Sequence, residues 1–318
     1  MKRYLIMSML AFSLAGCLGP SSVDLYLQGQ LAAEKGKMDE AMRRLTEAIE
    51  RNPQMGLAYI ARGDLHKDRG DYEKAAKDFE KAVEIEPYNF NANYKLGLMY
   101  QYLKRYTDAI MSYQKAVEIR PLDPQANMNL AMVYTQMGQP LRGLSYAQRA
   151  VNGDPDSYHT HANLGILYAQ LGNQDAAIDS LKRAIELNAK QTEVYVNLAQ
   201  EYLKQEKFEA ARGTLETARE LLSDKGGAIV AERLGLTYFK LRQPDKARAM
   251  YFDALRYDSR YFQAYNGLGV IAMSQSLTAT PPDVQLAKEA LEYWQKSLQV
   301  QPDQPVIRQL LNKYSPEK

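Results

Sequence analysis

The sequence contains few of the residues that most often carry chemistry. Its 318 residues include one cysteine and three histidines, so no disulfide can form within the chain. His159 and His161 are two positions apart, which places them on different sides of a helix and prevents them from sharing a metal. We interpret His66 and His161 as packing residues. Zinc-ligand spacings, His-Glu-x-x-His and glycine-rich phosphate loops are absent. We therefore expect no metal, no cofactor and no enzymatic activity.

A net charge is also almost absent. The chain carries 40 lysines and arginines against 38 aspartates and glutamates. Removing residues 1–16 takes away Lys2 and Arg3 and no acid, which leaves equal numbers of the two signs. A balanced surface has no long-range field that attracts phosphate backbones. We expect no nucleic-acid partner.

No apolar run is long enough to cross a membrane. The longest one at the N terminus, Tyr4 to Ala15, has about 12 residues, whereas a spanning helix needs about 20. It follows Lys2 and Arg3. A basic start, a short apolar run and small residues are together typical of a secretory signal peptide. The run ends immediately before the single cysteine, Cys17.

Leu14-Ala15-Gly16-Cys17 resembles the bacterial lipobox at all four positions. The resemblance implies cleavage after Gly16 and acylation of Cys17 on its sulfur and its amino group. One acyl chain binds a bilayer marginally, whereas two or three hold a protein firmly. Leu18, rather than an aspartate, follows the cysteine, which favours the outer membrane. The alternative is an uncleaved apolar N terminus with an incidental thiol.

The remaining chain repeats itself every 34 residues. The step is set by prolines and by alanines: Pro53, Pro87, Pro121, Pro155, and Ala48, Ala82, Ala116, Ala150, Ala184. Counting from these marks, units start at Ser22, Gly56, Phe90, Pro124, Tyr158, Thr192, Ala228 and Phe262. Position 8 of each unit is glycine or alanine, and position 20 is alanine in every unit except the fourth, which has Gly143. A fixed period with small residues at fixed positions predicts stacked helix pairs.

The physical roles of these positions agree with helix pairs. Small residues at positions 8 and 20 allow two helices to approach closely, while leucine at position 7 and tyrosine at position 11 lie one turn apart on one face. The proline near the end of each unit cannot continue a helix. Because no unit buries its apolar faces alone, neighbours must stack.

This pattern resembles the tetratricopeptide repeat over residues 22–304. The resemblance implies an all-α, right-handed superhelical solenoid of about eight units. Asp303 as a helix cap, followed by an apolar stripe of Val306, Ile307, Leu310, Leu311 and Tyr314, predicts a closing helix. The predicted organisation is a signal peptide at 1–16, an acylated cysteine and tether at 17–21, units one to six at 22–225, units seven and eight at 226–304 with an insertion at about 274–283, and the closing helix and tail at 305–318.

In this family, positions 2, 5, 6, 9, 12 and 13 of each first helix line a concave groove. Position 6 is Asn129, Asn163 and Asn197 in three consecutive units. Amides both donate and accept, so such a ladder could bind an extended peptide backbone irrespective of its sequence. It resembles the asparagine ladder of O-GlcNAc transferase, although asparagine is common at this position. The predicted groove also contains Tyr94, Leu98, Met128, Met132, Ile166, Val196 and Gln200.

These features predict a membrane-anchored scaffold that binds protein or peptide partners in the periplasm, with the bilayer as a second partner through acylated Cys17. The expected location is the bacterial cell envelope, at the outer membrane. Repeat lipoproteins of this build resemble pilotins of type IV pili and assembly factors of tight-adherence pili. The alternatives are an adaptor for periplasmic proteases or cell-wall hydrolases and a scaffold for exopolysaccharide export.

Overall fold

The computed structural model describes residues 19–222 and 226–315. Cys17 and the predicted signal peptide lie outside these residues. The described part of the chain contains 17 helices and no strand. The helices belong to two compact units, which divide between Asp154 and Pro155. The first unit contains four of the repeats, and the second unit contains the other four and the closing helix. The predicted division at 225/226 lies inside the second of these units.

Each unit is a run of antiparallel helix pairs. The first unit contains α1 Ser22–Glu34, α2 Met38–Arg51, α3 Gly56–Asp68, α4 Tyr72–Ile85, α5 Phe90–Tyr102, α6 Tyr106–Ile119, α7 Pro124–Gln136 and α8 Pro140–Gly153. The second contains α9 Tyr158–Gln170, α10 Gln174–Leu187, α11 Thr192–Lys204, α12 Phe208–Glu220, α13 Gly227–Lys240, α14 Pro244–Tyr257, α15 Phe262–Thr278, α16 Val284–Val300 and α17 Pro305–Tyr314. The predicted all-α repeat fold is confirmed.

The helix ends follow from local sequence. The Ser21 side chain accepts from the Asp24 N–H while the Asp24 carboxylate accepts from the Ser21 N–H, a capping box that starts α1. The Asp123 side chain caps α7 by accepting from the Ala126 N–H, with Pro124 in the first turn. After α3, Gly70 adopts a φ of +80°, a left-handed conformation that suits glycine and reverses the chain into α4.

In six of the pairs, close approach of the two helices depends on a glycine at position 8. A Cβ on Gly97 would lie 2.7 Å from the Tyr113 ring, and one on Gly269 would lie 2.3 Å from the Trp294 indole. Both aromatic residues occupy position 24, on the second helix of the pair. Six pairs share this arrangement of a glycine against a large residue, and the large residues are Leu45, Phe79, Tyr113, Leu181, Tyr251 and Trp294. The small position was predicted from the sequence, whereas its large partner was not.

The fourth pair is packed differently. Its position 8 is Ala131 and its position 24 is Ala147, so neither residue holds the two helices apart. A Cβ on Gly143 would lie 2.7 Å from the carbonyl oxygen of Ala131 and 3.2 Å from its Cα. The glycine at position 20 is therefore required, because α8 lies directly on the backbone of α7.

Replacing Gly143 by alanine, the residue at position 20 in the other units, should lower the free energy of unfolding by about 1–2 kcal/mol. The backbone of α7 cannot move as cheaply as a side chain, so overpacking should exceed the gain in helix propensity. Denaturant unfolding measures this difference. Gly213→Ala is the matched control, because no atom lies within 4 Å of a Cβ at that helical position. It should stabilise the protein by about 0.4–1 kcal/mol. Equal effects of the two substitutions would contradict this packing.

The insertion in the eighth unit is partly helical. The prediction of a loop over residues 274–283 is wrong for its first half, because α15 continues to Thr278. The Ser276 hydroxyl donates to the Asp283 carbonyl at 2.6 Å, which ties the end of α15 to the start of α16. Asp283 then caps α16 by accepting from two backbone N–H groups. The extra residues lengthen α15 and α16 more than they lengthen the connection between these two helices.

The predicted closing helix exists as α17, but two of its details differ. Gln304, rather than Asp303, occupies the N-cap position, and its side-chain amide donates to the carbonyl oxygens of Ser297 and Gln301. Ile307 is buried against Trp294, whereas Val306 is 65 % exposed and does not belong to the apolar stripe. Gln304 thus fixes the start of α17 to the end of α16, and this contact determines which face of α17 is buried.

Candidate peptide-binding groove

In the first unit, α5 and α7 place five of the predicted groove residues side by side. Tyr94 and Leu98 lie on α5, and Met128, Asn129 and Met132 lie on α7. The amide of Asn129 donates to the Tyr94 hydroxyl at 3.1 Å and to the Tyr113 hydroxyl at 3.4 Å. Met132 is 42 % exposed, whereas Met128 is only 9 % exposed and contributes mainly to the core. The Asn129 amide is thus already bound within the protein.

Polar contacts continue from Asn129 along the same face. The Tyr113 hydroxyl donates to the Gln101 side chain at 3.0 Å, and the Gln101 amide lies 3.4 Å from Gln136 Oε1. Burial raises the pKa of the Tyr113 phenol and that of Tyr94. Both phenols therefore stay protonated near neutral pH and remain hydrogen-bond donors. This network fixes the orientation of the groove side chains in the first unit.

An ion pair that the sequence analysis missed lies on the neighbouring helices. Lys95, at position 6 of α5, contacts the carboxylate of Asp64, at position 9 of α3, with 2.5 Å between Nζ and Oδ2. Both side chains are partly buried. Position 6 is Asn129 in the next repeat, whereas it is Lys95 in this repeat, where Asp64 of the preceding repeat neutralises the charge. The signal in the sequence was the pair of opposite charges 31 residues apart.

In the second unit, three predicted residues surround a small pocket. Ile166 on α9 and Asn197 and Gln200 on α11 line a cavity of about 170 Å³. Glu201, which is 2 % exposed, lies beside it and accepts from the Lys204 ammonium at 2.6 Å. The Gln200 Oε1 atom is buried and has no hydrogen-bond donor among the described residues.

The other two predicted groove residues of this unit are both half-buried. Val196 packs against the core, and Asn163 lies on α9. Asn129 belongs to the first unit, and Asn163 and Asn197 belong to the second.

A second pocket of the second unit was not predicted. It has a volume of about 360 Å³ and lies between α13 and α15. Except for Tyr251, all its lining residues occupy the groove positions of units seven and eight: Glu232, Leu236, Phe239, Lys240, Gln263, Asn266, Gly267 and Val270. The signal in the sequence was an acid, Glu232, at position 5, where the preceding three units have Met128, Ala162 and Val196.

His66 and His161 both lie beside other groups of the protein. His66 is half-buried near the carboxylate of Asp78, which forms a bidentate pair with the Arg62 guanidinium at 2.7 and 2.9 Å. Burial lowers the pKa of the His66 imidazole, so it is neutral near pH 7. His161 Nε2 lies 2.9 Å from the Pro155 carbonyl oxygen. Within residues 19–222 and 226–315, no three histidine, aspartate or glutamate residues are grouped as a metal would require.

Comparison with known families gives one consistent result. Models of the tetratricopeptide repeat match residues 25–54, 63–104, 90–121, 122–190, 192–221 and 232–294. The chain is a tetratricopeptide repeat protein. None of the matching models describes a catalytic family. Tetratricopeptide repeat proteins bind peptides or proteins in a groove. No curated protein sequence matches the chain.

Solved structures agree with the tetratricopeptide repeat fold. The Cut9–Hcn1 hetero-tetramer of APC/C aligns over 88 % of this chain with a TM-score of 0.60 and 16 % identity, and this chain spans about half (53 %) of that one. Pseudomonas aeruginosa pilF aligns over 66 % of this chain and 94 % of its own, with a TM-score of 0.56 and 19 % identity. YrrB, described as having an unusual peptide-binding site, aligns over 58 % of this chain and 95 % of its own, with a TM-score of 0.51 and 24 % identity. Likeness at these identities shows the fold alone.

Asn129 and Asn197 should respond differently to replacement by alanine. Asn129→Ala removes the amide that contacts two tyrosine hydroxyls, so it should lower the free energy of unfolding by about 1 kcal/mol. Asn197→Ala, at the same position of another unit, should change it by less than about 0.5 kcal/mol. Denaturant unfolding of both variants checks this expectation. A larger loss for Asn197→Ala than for Asn129→Ala would contradict it.

Proposed function

We propose that this tetratricopeptide repeat protein is a lipid-anchored scaffold that captures polypeptides at the periplasmic face of the outer membrane, where it supports assembly of a pilus or secretion complex. The observation that carries the binding role is the groove. In each unit, apolar and amide side chains at the groove positions stay partly exposed, and in the second unit they enclose two pockets. The pilus role is supported by the resemblance to pilotins and by the shared fold of pilF.

Two features support the anchor. The first is the lipobox that ends at Cys17. The second is a stripe of three apolar side chains, Val23, Leu27 and Leu31, each at least half exposed on α1. Four residues separate Cys17 from α1, and an extended chain spans at most about 3.6 Å per residue, so an acylated Cys17 would hold this stripe near the lipid surface. No helix in the described part of the chain has both the length and the apolar character needed to cross a membrane.

Cys17→Ser should prevent acylation and cleavage at the lipobox. The expected product is a longer precursor that is not recovered with outer-membrane lipoproteins after sucrose-gradient fractionation of the envelope. Because the reacting sulfur is lost, metabolic labelling with an alkyne fatty acid should label the natural chain and not the variant. Ser8→Ala, in the same predicted signal peptide, is the control and should be processed normally. Labelling of the Cys17→Ser chain would reject the anchor.

The groove can be tested with a photo-crosslinking amino acid at Met132, which is 42 % exposed on α7. Met111, 58 % exposed on α6, is the matched control, because it is also a methionine but lies on the second helix of its pair. Crosslinked polypeptides from intact cells should appear at position 132 and not at 111. Mass spectrometry then distinguishes pilus or secretion proteins from proteases, cell-wall hydrolases or exopolysaccharide-export proteins. Equal crosslinking at both positions would contradict capture in the groove.

A further inference from the structure

The pocket between α13 and α15 contains an acid whose charge is poorly compensated. Glu232 is 7 % exposed, and within the described ranges its carboxylate is influenced only by burial and by one neighbouring cation. Its nearest cation is Arg233, the next residue in the chain, whose Nε atom lies 3.6 Å away. A buried carboxylate without hydrogen bonds costs free energy, so its presence in a pocket requires an explanation.

The other groups around Glu232 leave this acid without a strong partner. On α13, Lys240 also lines the pocket, but it is exposed at the mouth and screened by water. From α14 and the segment after it, Tyr251 and Tyr261 lie near the carboxylate, and burial together with the Glu232 charge raises the pKa of each phenol. The lining residues of α15 are uncharged. Burial raises the pKa of Glu232 in spite of the opposing effect of Arg233.

A second acceptor lines the same pocket. The Asn266 amide donates to Gln304 Oε1 at 2.8 Å, which fixes its orientation. Its own Oδ1 atom is buried and receives no hydrogen bond from the described residues. Two oxygen acceptors, one of them anionic, thus line a single cavity with no donor assigned to them.

The remaining walls are mostly apolar. They are formed by Leu236, Phe239, Val270 and the ring of Tyr251, together with the polar Gln263. Gly267 takes the position that asparagine has in units four to six, and a Cβ there would lie 2.2 Å from the Tyr251 ring. The glycine therefore lets the ring pack against α15. The cavity combines an apolar wall with acceptors, which fits a side chain with an aliphatic stem and a donor-rich end.

We propose that this pocket binds the side chain of a lysine in a partner polypeptide, with the ammonium donating to Glu232 and to Asn266 Oδ1 and the aliphatic stem packing on Leu236 and Phe239. An ammonium is a compact charge with three donors, whereas a guanidinium is a wider planar fork. The inference rests on the proposed function, because it assigns one residue of the polypeptide held in the groove. Binding of the cation favours ionised Glu232, so it competes with protonation of that carboxyl.

The full chain in detergent can be titrated with n-butylammonium, a mimic of the lysine side chain, while methyl NMR signals of Leu236 and Val270 are followed. We expect saturable shifts that are absent with butyrate, and an affinity that increases from pH 5 to pH 7.5. Glu232→Gln should weaken the affinity at least tenfold. Glu201→Gln is the matched control: a buried glutamate in the other pocket, already paired with Lys204. It should leave the affinity within twofold.

The stability of Glu232→Gln provides an independent readout. A carboxyl whose pKa is raised by folding destabilises the folded state once pH rises above its unfolded value, and this cost disappears below that value. Glu232→Gln should therefore not lower Tm at pH 7.5, and its Tm relative to the natural chain should fall as pH is lowered to 4. A lower Tm at pH 7.5 would mean that Glu232 is a structural residue and would overturn the assignment.

The remaining outcomes are decisive as well. Absence of shifts with n-butylammonium, equal shifts with butyrate, or tighter binding of n-butylguanidinium would each overturn the lysine assignment. The proposed function is tested separately by crosslinking at Met132 in the first unit. Crosslinking there without ammonium binding rejects only the lysine pocket, whereas ammonium binding without crosslinking at Met132 rejects capture along the first unit's groove.

Discussion

The structure depends on how closely the two helices of each pair approach. In six pairs a glycine at position 8 receives a large side chain from position 24, and in the fourth pair Gly143 lies on the backbone of α7. Interiors packed to this density leave little room for even one methyl group. The same contact repeats along the chain, so the first helices present corresponding positions in successive units. The predicted groove residues all lie on these first helices.

The hydrogen bonding of the predicted groove residues differs between the two compact units. In the first unit, the Asn129 amide donates to Tyr94 and Tyr113, and the charge of Lys95 is neutralised by Asp64. In the second unit, the buried Asn266 oxygen has no donor among the described residues, and the Glu232 carboxylate has only the neighbouring Arg233 as a partner. A satisfied network stabilises the shape of a surface, whereas an unsatisfied acceptor in a cavity is a place where a ligand can supply the missing hydrogen bond. The two units thus offer different chemistry on the same scaffold.

Much of the fold was predictable because its determinants are local or periodic. The 34-residue step, the small residue at position 8 and the proline near the end of each unit indicate helix pairs without any knowledge of contacts. The details that failed depend on individual side-chain hydrogen bonds, which a repeat pattern does not specify. Asp303 was a reasonable cap, but Gln304 takes the N-cap position because its amide reaches Ser297 and Gln301. A loop was expected after Ser274, but α15 continues to Thr278, and the Ser276 hydroxyl donates to the Asp283 carbonyl across the connection.

The sequence by itself determined the repeat and the helical class, because each follows from spacing along one chain, whereas it only predicted the groove positions. Only the tertiary structure decided which groove residues are available to a partner. Asn129 and Asn197 occupy the same position of the repeat, yet one contacts two tyrosine hydroxyls and the other lines a pocket. In the sequence, nothing distinguishes Glu232 from other charged residues. In the structure it is buried on α13 beside α14 and α15. Burial and hydrogen bonding are properties of neighbours in space, and a repeat pattern specifies the position of a side chain but not its neighbours.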